Sequence, residues 1–108
     1  MYIYNVTVHV DEKIHQKWLS WMREKHIADV LSTGKFSKAL LTRILTEEDL
    51  GGISYSVQYT AESRQALDLY YLEDAQRLRK EVTALFGEQV LAFRTELEVI
   101  ESFKPEIK

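Results

Sequence analysis

Tyr2-Ile3-Tyr4-Asn5-Val6-Thr7-Val8-His9-Val10-Asp11-Glu12-Lys13-Ile14-His15-Gln16-Lys17-Trp18-Leu19 holds the change of rhythm that decides the fold. Up to Val10 the residues alternate, with Tyr2, Tyr4, Val6, Val8 and Val10 set against Ile3, Asn5, Thr7 and His9. That is the two-faced pattern of a strand. Beyond Asp11, a residue suited to a helix N-cap, the spacing becomes helical. Ile14, Trp18, Leu19, Met22 and Val30 share one broad arc, while Glu12, Lys13, Gln16, Ser20, Arg23 and Glu24 mostly take the other. This helix is expected to run from Glu12 to about Ser32 and to close at Gly34, where a left-handed C-cap favours glycine.

Working outward, Phe36 to Leu45 and Ile53 to Thr60 are strand-like runs. The acidic, glycine-bearing turn Thr46-Glu47-Glu48-Asp49-Leu50-Gly51-Gly52 joins them as a hairpin. Thr60 or Ser63 can cap a second helix, which carries Leu67, Tyr71, Ala75, Leu78, Val82 and Leu85 at three- and four-residue steps and ends at Gly87. From about Gln89 to Glu101, Leu91, Phe93, Thr95, Leu97 and Val99 alternate with Ala92, Arg94, Glu96 and Glu98, which predicts a last strand. Residues 1–102 are thus expected to form one domain, and Phe103 to Lys108, with the only proline, reads as a tail or a swapped arm.

The order β-α-β-β-α-β predicts an α+β ferredoxin-like sandwich, a four-stranded antiparallel sheet with two helices on one face. Two helices cover one face only. The other is expected to present Asn5, Thr7 and His9, then Ser54, Ser56 and Gln58, then Arg94, Glu96 and Glu98, with Ile3, Ala92, Ile100 and Leu41 as its apolar members. A face so mixed is too apolar for open water and too polar for a dry core, and a homodimer stacking two copies accounts for both properties.

Composition narrows the chemistry. The 108 residues include no cysteine, which removes disulfides, thiolate metal sites and cysteine nucleophiles and suits a cytoplasmic compartment. Seventeen acids against fourteen bases give a net charge of −3 with both signs scattered, so neither nucleic acid nor a membrane surface is an expected partner. Tyr2 to Val10 lacks the basic lead and cleavage site of a targeting segment and is expected to be mature structure. No glycine-rich phosphate loop, nucleophile elbow, serine triad or calcium loop is present.

The run Trp21-Met22-Arg23-Glu24-Lys25-His26-Ile27-Ala28-Asp29-Val30-Leu31-Ser32-Thr33-Gly34-Lys35-Phe36 carries a resemblance, together with Tyr2 to Val8, Gly52 to Tyr59 and Ala92-Phe93-Arg94-Thr95. Nearly the whole chain resembles the DUF4286 family of small bacterial proteins of unknown function. Its members usually have proline where this chain has Ala28, a departure that removes a helix stop near His26. More distantly the layout is similar to the dimeric α/β-barrel superfamily, which includes antibiotic-biosynthesis and haem-degrading monooxygenases, isomerases and ligand-binding regulatory domains. That likeness implies a dimer and a pocket between helices and sheet, without transferring a reaction. Haem is not expected, because the haem-degrading members carry their axial histidine on the second helix, where this chain has none.

His26 lies on the arc of His15, Leu19, Met22 and Val30, so it should face inward. It can act there as a general base or orient a ligand, or it can be a core-edge histidine satisfied by a carbonyl. The three histidines make a poor metal site: His15 and His26 are roughly 16 Å apart along one helix, and His9 has the opposite strand parity. Trp21, Met22, Phe36 and Tyr55 are expected to wall an apolar pocket, or simply to pack as core. Asp74 falls on the inward arc of the second helix and needs Arg77, a group of the first helix or a pocket to justify its charge. Gln58 and Arg94 are expected on the second sheet face, in a polar dimer interface or on an anionic ligand, with Glu96 and Glu98 able to neutralise Arg94. The leading expectation is a homodimer that binds a small organic molecule, with His26 on its polar end and no metal or cofactor. If it is an enzyme, cofactor-independent oxygenation or isomerisation fits, with His26 as base. The alternative is a non-catalytic regulatory or oligomerisation module.

Overall fold

The computed structural model describes residues 1–46 and 51–106, so Glu47 to Leu50 of the expected acidic turn, and the last two residues of the expected tail, lie outside the described residues. Four strands, β1 (Tyr2–Asp11), β2 (Lys38–Arg43), β3 (Gly52–Ala61) and β4 (Val90–Glu98), form one sheet in the order β2-β3-β1-β4. Every neighbouring pair is antiparallel. The central position of β1 follows from its composition, since Tyr4, Val8 and Val10 are buried on one side and the backbone is paired along both edges.

The first helical segment opens where Asp11 Oδ1 accepts a hydrogen bond from Lys13 N at 2.9 Å. A short 3₁₀ turn then leads into α1 (His15–Trp21). In place of the uninterrupted α-helix expected, Met22–His26 forms a π turn, in which the Ile27 N–H reaches back to the Met22 carbonyl. The rod then resumes as α2 (Ile27–Ser32), running past Ala28 without a stop. Lys25, within the π turn, pairs with Asp29 at 2.6 Å and with Glu81 of the second helical segment at 2.8 Å. Gly34, at φ 77°, provides the left-handed exit.

The second helical segment is likewise divided. Ser63 Oγ caps α3 (Arg64–Glu73) by accepting from Ala66 N at 3.1 Å, and α4 (Ala75–Phe86) follows. Between them Asp74 leaves helical geometry at φ −126°, ψ −37°. Its carboxylate holds Lys35 at 3.0 Å and Arg77 at 3.2 Å, so the inward-arc acid is neutralised by two cations and lies outside the lining of the cavity between helices and sheet. Helices and sheet close on Trp18, Leu67, Leu78, Val10, Val30 and Val57. Among the described residues no helix is long and apolar enough to cross a membrane.

Strand register corrects the expected second face. Val6 lies opposite Arg94, Tyr4 opposite Glu96 and Val8 opposite Ala92, so Arg94, Glu96, Glu98 and Ala92 belong to the helix-facing side. Leu91, Phe93, Thr95 and Leu97 take the open side, opposite His9, Thr7, Asn5 and Ile3. In β2, Leu40 is on the open face beside Gln58, and Leu41 is on the helix side opposite Val57. Glu96 is accommodated because Arg64 grips it at 2.7 and 3.1 Å and the Tyr71 hydroxyl donates to it at 2.6 Å. Both contacts hold its carboxyl below the usual range.

One glycine is dictated by space. A Cβ on Gly52 would sit 2.4 Å from the Val10 carbonyl oxygen, so no side chain fits where β3 begins to pair with the end of β1.

Candidate functional site

The π turn ends at His26, and Trp21, one residue before the turn begins, stacks on the imidazole at 4.7 Å and 29°. Phe86 meets the other edge of Trp21 at 5.4 Å, fixing the indole and through it the histidine. His26 forms part of the wall of a cavity of about 50 Å³ between the helices and the sheet. Met22, Trp18 and Val30 close it from the first helical segment, and Val8, Val57 and Tyr59 from the sheet. At ~15 Å³ per water, the space admits about three waters or one small chemical group.

The His26 imidazole has no hydrogen bond to any described residue, and its Nδ1 is buried without a partner. An enclosed polar atom without a partner costs about 1–3 kcal/mol, so no backbone carbonyl justifies the position of this side chain. Burial pushes its pKa below the usual histidine range, against the opposing pull of Glu81 and Asp29. The ring is therefore neutral at pH 7, the form that accepts a proton or a hydrogen bond.

Arg79 of α4 and Arg94 of β4 join His26 on the cavity wall. Arg79 Nη2 donates to the Tyr4 hydroxyl at 3.0 Å, while its Nε is buried and unpartnered. No described carboxylate stands within ion-pair distance of either arginine. The same two arginines line a second, solvent-open cleft of about 790 Å³ between α4 and the edge strand β4. The inner cavity and the outer cleft thus share Arg79 and Arg94 in their walls.

Of the residues named from sequence, the structure brings Met22, His26 and Arg94 to this cavity. Trp21 supports His26 from behind rather than forming the wall. Phe36 lies outside the lining, packed on Tyr70 at 4.8 Å and Tyr59 at 5.4 Å. Tyr55 is not at His26: its hydroxyl shares a hydrogen bond with the buried His15, and Trp18 packs on its ring at 4.9 Å. Gln58 lies on the open face, the opposite side of the sheet from the cavity. His9 bonds Ser54 on that same face at 3.0 Å, so the three histidines occupy three separate places. Among the described residues no cluster of His, Asp and Glu could hold a metal ion. Arg79 escaped the sequence reading. Its signal was the stripe Gln76, Arg79, Lys80 and Thr83, which has helical spacing and reads equally well as a solvated face.

The depressed basicity of His26 has a pH signature. Its folded-state pKa is lowered, so the stability it confers is complete above the unfolded value of about 6.5 and is lost as pH falls through the folded one. The melting temperature of the parent should therefore fall more between pH 7.5 and 5.5 than that of His26→Gln. Parallel profiles across that window would show that the imidazole is not held neutral.

A four-stranded antiparallel sheet in the order β2-β3-β1-β4, with its helices on one face and a cavity between the layers, defines a ferredoxin-like α+β sandwich. The chain belongs to the family described as a domain of unknown function, DUF4286, whose model matches residues 1–100. Solved structures share the fold at low identity. A dimeric ferredoxin-like protein from an uncultured marine organism superposes with a TM-score of 0.70 at 11% identity, covering 94% of this chain and 97% of that one. A candidate antibiotic biosynthesis monooxygenase from Deinococcus radiodurans gives 0.60 at 13% identity, covering 98% and 99%. A second dimeric ferredoxin-like protein of marine origin gives 0.55 at 10%, covering 97% and 100%. No protein of curated function matches the chain.

Proposed function

We propose that this protein is a cytoplasmic homodimer that binds a small organic molecule between its helices and sheet, at His26. One observation carries the ligand reading: an imidazole with a buried, unpartnered nitrogen stands on the wall of a cavity, where a core histidine would be bonded to a carbonyl. The ligand's polar end meets His26, a small part of it enters the space beside Met22 and Val30, and the remainder lies in the cleft beyond Arg79 and Arg94. A neutral imidazole held in an apolar wall also suffices to remove a proton from an acidic C–H or O–H bond. Isomerisation, or oxygenation of the resulting carbanion by dioxygen without a cofactor, needs that step first. The fold shared with the Deinococcus radiodurans protein supports this class of chemistry as an analogy only.

The open sheet face supports the dimer. Phe93, Leu40, Leu91 and Leu97 are exposed on it, with Phe93 at 67%. The polar groups at its centre are bonded to one another: Asn5 donates to Thr7 and Thr95 at 3.1 Å each and accepts from Ser56 at 2.6 Å. Burying such a network costs little, whereas leaving the apolar row in water costs more. The same face also suits the non-catalytic alternative, an oligomerisation module, which needs the dimer and not the cavity.

A thermal-shift screen against small organic molecules separates these readings. Compounds that bind at His26 should raise the melting temperature of the parent, by an amount that grows with the logarithm of ligand concentration, and should leave His26→Gln unmoved. Equal stabilisation of both proteins, or none from any compound, favours the module.

A further inference from the structure

The geometry points to an organic oxyanion, a carboxylate or a phosphate, held between Arg79 and Arg94 where the interlayer cavity meets the α4–β4 cleft. The inference rests on the ligand-binding reading above and adds the charge of the ligand. Gln76, Arg79, Lys80 and Thr83 project from one side of α4 into the cleft, and Arg94 faces them from β4. Three cations therefore line one concavity, with no described acid among its walls, in a chain whose net charge is −3.

Three of the nearby acids are committed elsewhere, and Glu98, four residues along β4 from Arg94, makes no ion pair with it. Glu96, on the same side of β4 as Arg94, is held by Arg64 and Tyr71. Glu81, adjacent to Lys80 in sequence, is bonded to Lys25, and Asp74 is shared by Lys35 and Arg77. Two arginines in the wall of one concavity repel each other, and an anion between them relieves that repulsion. The planar forks of arginine match the paired oxygens of a carboxylate or phosphate, and the buried, unpartnered Nε of Arg79 has a donor to give. The cleft is open to solvent, so an anion bound there would keep part of its surface in water.

The test is a titration of ¹⁵N-labelled protein, at ionic strength held constant with chloride, using inorganic phosphate, benzoate and the uncharged aromatic indole as separate probes. At least one anion should shift the Arg79 and Arg94 Nε–H signals saturably. Arg94→Gln, on an exposed edge strand, and Arg79→Gln should each weaken binding about tenfold, whereas Arg23→Gln, in another cleft, should not. Tighter binding of benzoate assigns the carboxylate and tighter binding of phosphate the phosphoryl group, and either result supports the site. Anions that shift all basic residues alike, or that bind Arg94→Gln as well as the parent, overturn it. Indole that moves the His26 and Met22 signals when neither anion binds overturns the oxyanion and leaves the ligand pocket standing. An anion bound at the arginines while indole and the His26 signals stay silent supports the oxyanion site and removes His26 from it.

Discussion

Replacing Trp18 with alanine is expected to lower the free energy of unfolding by about 3–5 kcal/mol, a large fraction of the ~5–15 kcal/mol that holds a domain of this size together. Trp18 is 1% exposed, packs against Tyr55 at 4.9 Å and forms part of the cavity wall, so its removal enlarges a void that the sheet cannot follow inward. A urea melt gives the value directly, and the midpoint temperature should fall by more than about 10 °C. Trp18→Phe, which keeps an aromatic ring in the same space, should lose less than half as much. A loss below ~1 kcal/mol for the alanine variant would mean that this indole is not part of the core.

Phe93→Asp should have the second large effect, on association instead of folding. Phe93 stands on the open face opposite Thr7, near the middle of the apolar row, and makes no contact with the helical core of its own chain. In a two-fold interface the substitution acts twice, at about 2 kcal/mol each for a buried aromatic anchor, so the dimer dissociation constant should rise by about a thousandfold. Sedimentation or light scattering should show the mass halve at micromolar concentration while circular dichroism keeps the parent's helix and sheet signals. A parent that is already monomeric, or a variant of unchanged mass, would remove the dimer from the proposed function.

The order of elements was legible in the sequence because each period was clean: β1 alternates through nine residues, the first helical segment opens with a 3₁₀ turn capped by Asp11, and Gly34 and Gly87 take the positive φ values that end helices. Which side of β4 faces the helices was not legible. Alternation separates Leu91, Phe93, Thr95 and Leu97 from Ala92, Arg94, Glu96 and Glu98, but the rule that apolar residues face the core assumes that only one face leaves water. Here the open face is itself apolar, and the charged set turns toward the helices because Arg64 and Tyr71 wait there for Glu96. Leu40 and Leu41 exchanged faces for the same reason, since two adjacent leucines carry no parity.

His26 was placed correctly on the inward arc with Trp21 and Met22 beside it, yet Phe36 and Tyr55 were not its neighbours. Helical spacing names the face of a residue but says nothing of how far along the sheet it meets a strand, so Tyr55 was assigned to His26 when it belongs to His15. The π turn at Met22–His26 has no sequence signal among its own residues, and Arg79 looked like an ordinary surface cation. Only the tertiary arrangement shows that Arg79 and Arg94, fifteen positions apart on different elements, share one space without an acid between them.

If a small molecule belongs at His26, the imidazole must respond to it. The most direct measurement is a fragment screen that follows the ring ¹⁵N signals of all three histidines in one spectrum. Binding at the proposed site should move the His26 signals together with the Met22 methyl, leave His9 and His15 unchanged, and disappear in His26→Gln. Fragments that move His15 beside Tyr55 and leave His26 still, or a screen in which no fragment moves His26 at all, would contradict the assignment.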